Sequence, residues 1–164
     1  MASDIFLKLD GIPGESKDDK HANQIVVESF SWGESNAGAH LAASGAGAGA
    51  GRVSMQDFHF TARVSKASPL LMSYCATGKH IPTGVISVRQ ASGEKVNADY
   101  LVYKFTTVVI SSFSQAGTTE DVRPLDSVSM AFAKVNVEYK EQKATGELGA
   151  AVSFGWDLKA NRKL

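Results

Sequence analysis

"VSMQDFHFTARV", residues 53–64, decides the fold class. Phe58, Phe60, Ala62 and Val64 fall on one parity, and Asp57, His59, Thr61 and Arg63 on the other. Successive side chains of an extended chain point to opposite faces, so this alternation describes a strand with one dry and one wet side. The strand is read as Val53–Val64, and six further runs join it: Ile5–Leu9, Ile25–Trp32, Val85–Gln90, Tyr100–Phe113, Ser127–Tyr139 and Ala151–Leu158. Gly11, Pro13 and Gly14 close the first run. "ASGE", residues 91–94, reads as a hairpin turn between the fourth and fifth. The expected fold is all-β, an antiparallel β-barrel, closed or nearly closed.

One segment departs from this pattern. "SPLLMSYCATG", residues 68–78, predicts a short helix with Ser68 as N-cap, Pro69 at the first helical position and Gly78 as the stop. Leu71, Tyr74, Cys75 and Gly78 give it an apolar face. A helix over Pro69–Thr77 is only ~13 Å long, so it must pack against the barrel to persist. The run "SVSMAFAKVNVEY", residues 127–139, is apolar on both parities. A β-bulge, the helix or a neighbouring subunit would each account for its second covered face.

The 164 residues fit one domain, and seventeen basic residues balance seventeen acidic ones. That balance gives no general attraction to nucleic acid or anionic membrane. Cys75 is the only cysteine, which excludes an internal disulfide and suits a reducing compartment. "MASDIFLKLDG" at the start lacks a secretory signal pattern, and no stretch approaches the ~20 apolar residues of a membrane helix.

Signals for chemistry are weak. The alternating Gly45–Gly51 run misses dinucleotide-loop spacing and leads into a strand instead of a helix. His21, His40, His59 and His80 lack paired metal-ligand spacing, and Cys75 sits on an apolar helix face. Adjacent acids such as Asp18-Asp19 and Glu120-Asp121 diverge on an extended chain. No catalytic residue, cofactor site or metal site is therefore expected.

From Ala37 to Gly51, twelve of fifteen residues are glycine or alanine. Ordering each residue costs ~1–2 kcal/mol of backbone entropy, and only Leu41 offers a large anchor. The loop is either mobile or held by another surface, to which its small side chains permit close approach.

"MASDIFLKLDGIPGESKDDKHANQIVVESFSWG", "PLLMSYCATGKHIP" and "GWDLKANRK" together resemble the haemolysin-coregulated protein family, which forms the inner tube of the bacterial type VI secretion system. The resemblance runs through the whole chain and implies a single domain over 1–164, an extended loop over 35–51 and no C-terminal effector extension. It implies a β-barrel protomer, a homo-hexameric ring, and rings stacked into a hollow tube. That tube would be tipped by a spike protein and driven by a contractile sheath, with effector proteins carried in the lumen. Synthesis in the cytoplasm, export without a cleaved signal, no membrane insertion and no nucleic-acid partner follow from the same resemblance. Ser29 and Ser31 are placed at the lumen. His40, Leu41, Ser44, Gly45, Gly47 and Gly49 are placed in ring stacking, and Val135, Val137 and Tyr139 at the subunit interface. The residues also fit two other readings: a monomeric β-barrel binding module, and a hydrolase using His59 with Asp57.

Overall fold

The computed structural model describes residues 3–36, 52–90 and 98–164. The "ASGE" turn and the six residues placed in ring stacking lie outside them. The chain is mostly β, with one short helix. The strands in chain order are β1 (Ser3–Leu9), β2 (Ile25–Val27), β3 (Ser29–Ser31), β4 (Glu34–Asn36), β5 (Val53–Met55) and β6 (Phe58–Arg63). After helix α1 (Ala67–Thr77) come β7 (Ile81–Gln90), β8 (Asp99–Ala116), β9 (Leu125–Gln142), β10 (Leu148–Asp157) and β11 (Arg162–Lys163).

The main sheet runs β11-β10-β9-β8-β7-β1-β2, with β6 branching from β9 and carrying β3. All pairings are antiparallel. The expected run Ile25–Trp32 is broken at Glu28, because β2 pairs β1 while β3 pairs β6. The Glu28 N–H donates to the Thr61 carbonyl at 2.8 Å, yet no ladder joins β2 to β6. The described sheet is therefore not closed, and of the barrel expected as closed or nearly closed it shows the antiparallel β architecture alone.

The two-sided apolar run in β9 has its cause within the protomer. Asp126, Val128, Met130 and Phe132 are buried on even positions, and then burial passes to odd Val135. β8 changes parity at the same level, from Phe105 to Val108 and Ile110. Thr107, opposite Ala133, lies at φ 55°, a left-handed conformation that is costly for a β-branched residue. The ribbon turns its faces there: below the turn β9 pairs β10, and above it β6. Ser111 is an extra residue in β8 between the Ile110–Met130 and Ser112–Ser129 pairs.

The core centres on Phe58, Phe105 and Phe132, with ring centroids 5.0 and 4.8 Å apart. Helix α1 packs on β8 and buries Leu71. Gly78 ends the helix as expected, at φ 66° with its N–H on the Tyr74 carbonyl. Ser68 is not the N-cap: Lys66 precedes the helix without a side-chain cap, and the Ser65 hydroxyl accepts from the Ala67 N–H at 3.2 Å. Ser68 turns inward and donates to buried Asp126, which also accepts from Gln115 at 2.8 Å.

A strap over residues 10–24 covers the outer side of β1. His21 stacks on Phe6 at 4.5 Å, and its Nε2 lies 3.0 Å from Asp99. Buried Arg89 donates to Asp18 and Asp4. The Arg89 guanidinium, joined by the His21 and Lys20 backbone N–H groups, holds the Asp18 carboxyl below its ordinary 3.8. A lowered carboxyl stabilises the fold above that value and loses its contribution as pH falls through the folded-state value. Asp18→Asn is thus expected to lower the melting temperature at pH 7, with the gap to the parent chain narrowing below pH ~4, in calorimetry across a pH series. Val135→Asp places a carboxylate where nothing is accessible. It is expected to cost about 3 kcal/mol or more in urea unfolding, through collapse of the protomer core.

Candidate functional site

β3, β6, β9 and β8 lie side by side, and their register aligns polar residues in two rungs. One rung is Ser29–Thr61–Ser127–Ser114 and the other Ser31–His59–Ser129–Ser112. Directly paired residues share a face, so these eight side chains form one polar surface. The reverse face carries Phe30, Phe60, Val128 and Phe113 toward the core, and Phe30 stacks on Phe58 at 5.4 Å. Aromatic backing therefore fixes the strand face that exposes Ser29 and Ser31.

The surface is knitted by hydroxyls. Ser29 Oγ and Thr61 Oγ1 are 2.5 Å apart, and His59 Nδ1 is 3.1 Å from Ser129 Oγ. Ser111 Oγ, the bulge residue, donates to Asp57 Oδ2 at 2.6 Å. Each hydroxyl both donates and accepts, so an uncharged face of this kind meets varied polar backbones without demanding one charge pattern. Ser29 and Ser31 are singled out from the sequence, whereas Thr61, Ser112, Ser114, Ser127 and Ser129 are not. Their signal was present as serines alternating with apolar residues in "SVSM", but only the cross-strand register brings them together.

The same geometry argues against hydrolysis. Ser129 does stand beside His59, but Asp57 is engaged by Ser111 and does not orient the imidazole. Among the described residues, no three of His, Cys, Asp and Glu gather as a metal site.

A second surface lies on the β10 side of the face change. Its rungs are Leu101–Tyr139–Val152, Tyr103–Val137–Phe154 and Phe105–Val135–Trp156. Accessibility rises along it, from Val135 at 0 % to Tyr139 at 46 % and Val152 at 71 %. Val135 is therefore a core residue and offers no surface to a partner, which corrects its placement at a subunit interface. Val137 and Tyr139 remain on the accessible part of the stripe. A third feature is the β4–β5 ribbon, which pairs Glu34 with Met55 and Asn36 with Val53 at the stem of the glycine–alanine segment.

A mostly-β chain with one short helix presents a hydroxyl-rich face and an exposed apolar stripe. The sequence profile of the family described as "Type VI secretion system effector, Hcp" matches residues 6–139. "Protein hcp1" of Pseudomonas aeruginosa is 40% identical over 162 residues, covering 98% of each chain. The crystal structure of Hcp1 from Salmonella typhimurium superposes with a TM-score of 0.79 at 36% identity, covering 100% of both chains. A further solved structure of a type six secretion system protein gives a TM-score of 0.92 at 32% identity, over 99% of this chain and 100% of that one. The chain belongs to the Hcp family of type VI secretion system proteins. Among the described residues no helix is long and apolar enough to cross a membrane.

Val152→Asp separates the stripe from the core. Because Val152 is largely exposed, the substitution is expected to leave the β-sheet circular dichroism of the protomer unchanged and to shift its stability by under about 0.5 kcal/mol.

Proposed function

We propose that this chain is the structural tube subunit of a type VI secretion system, closing as a homo-hexameric ring whose rings stack into a hollow, expelled tube. The observation that carries this reading is the four-strand polar face with aromatic backing, which suits the wall of an aqueous lumen. In that role Ser29 and Ser31, with Thr61, Ser127 and Ser129, contact effector proteins in transit. Uncharged hydroxyls hold diverse cargo weakly and release it readily. The role is structural and non-enzymatic, with no cofactor.

The accessible stripe of Val137, Tyr139, Val152 and Phe154 supplies apolar material for the ring interface, since obligate interfaces bury above ~2,000 Å² and are apolar. Residues 37–51, with His40, Leu41, Ser44, Gly45, Gly47 and Gly49, are assigned to ring stacking; their small side chains allow close backbone approach. The spike, the contractile sheath and lumenal effectors are the partners. The chain is made in the cytoplasm and leaves through the secretion machine.

Light scattering on purified protein, with negative-stain images of the same peak, tests this. A mass near six protomers with annular particles is expected, and Val152→Asp is expected to reduce that mass while the protomer stays folded. A single-protomer mass across micromolar concentrations would contradict the reading and favour a monomeric binding module.

A further inference from the structure

The polar face does not end in serines. Two residues beyond Ser129 it passes to Ala131, opposite Val109, and then to Ala133. These three form the bed of a hollow of about 320 Å³ rimmed by Arg52, His80 and Lys159. Thr107, whose left-handed backbone marks the face change, also lines it. No carboxylate is among the described lining residues. One Arg52 nitrogen is occupied by the Leu158 carbonyl at 3.2 Å, which anchors the guanidinium at the rim. On a chain with no net charge, this is a locally cationic, apolar-floored site.

The turn that closes the β8–β9 ribbon has the complementary character. It carries Glu120, Asp121 and Val122, with Arg123 turned back onto the Val64 carbonyl at 3.3 Å, and Val122 is 98 % exposed, the most exposed large apolar side chain among the described residues. The turn is shaped by the Asp121 N–H on the Thr118 carbonyl at 3.3 Å. Asp121 makes a long ion pair with Arg63 at 3.8 Å. From Leu125 to Ala131 the chain rises about 20 Å along β9, so the turn does not reach the hollow of its own protomer.

We infer that the acidic turn of one copy docks in the cationic hollow of a second copy, with Val122 on the Ala131 and Ala133 floor and Glu120 and Asp121 against Arg52 and Lys159. Two different patches meet, so the contact is head-to-tail and repeats from copy to copy. Opposite charges around a small apolar contact fix its register more than its strength. The inference rests on the tube reading and deepens it, adding to ring stacking a contact that residues 37–51 do not make.

The test uses the full chain with Cys75→Ala, Val122→Cys and Ala133→Cys, mildly oxidised at high protein concentration. A head-to-tail contact gives a disulfide ladder longer than dimers on non-reducing gels, while either single-cysteine chain stops at dimers. Adding Glu120→Lys and Asp121→Lys is expected to slow laddering about tenfold, and further adding Arg52→Glu and Lys159→Glu to restore it. Moving the cysteine from 122 to exposed Met72 on α1 supplies the collision control. Laddering no faster than that control, or insensitive to the charge exchanges, overturns the contact. The mass measurement separates the two failures: a six-protomer mass without a ladder removes this contact alone, and a single-protomer mass removes the ring.

Discussion

Everything in this protomer hangs on the face change in the β8–β9 ribbon. A long two-stranded ribbon that kept one parity buried throughout would serve one core and one solvent face. Here the backbone at Thr107 swaps the faces, so Phe105 and Val135 are buried on one side of the swap and Val108, Ile110, Met130 and Phe132 on the other. A β-branched residue in the left-handed region costs about 1–3 kcal/mol. The aromatic cluster of Phe58, Phe105 and Phe132 straddles the swap and provides the packing that offsets this cost. The consequence is functional: one ribbon contributes to a hydroxyl face above the swap and an apolar stripe below it.

Two groups of buried charge lie away from those surfaces. Arg89 and its carboxylates lie under the strap on the outer side of β1, and Asp126 is satisfied by Ser68 and Gln115 beneath the helix. Each buried ion there has a partner, as burial demands. The polar face is instead furnished with serine and threonine, whose hydroxyls bond to one another across strands. Charge reappears around the hollow near Lys159 and in Glu120 and Asp121 at the turn that closes the ribbon.

Local periodicity made much of this legible. Phe58, Phe60 and Ala62 alternate in sequence and are buried as that alternation requires, and Gly78 stops the helix through its positive φ. Phe30 and Trp32 alternate with Ser29 and Ser31 in sequence and pack against the core, leaving the two serines outside. What escaped depends on long-range partners. Val135 looks like an interface residue until the Thr107 swap turns it inward. Ser68 looks like a cap until Asp126, far along the chain, claims its hydroxyl. The break at Glu28 and the short strands β4 and β11 exist only through their pairings. The hydroxyl rungs likewise come from four separated segments, and only register unites them.

The central claim is that the hydroxyl face lines the bore of a ring. Pulsed electron-resonance distances between copies test it directly, using a single spin label at Ser31→Cys or at Met72→Cys, each in a Cys75→Ala chain. Met72 is exposed on α1, the helix that packs on the sheet from outside the hydroxyl face. The account predicts shorter inter-protomer distances from position 31 than from position 72. Equal distances, or longer ones from Ser31, would put the hydroxyl face on the outside and contradict it.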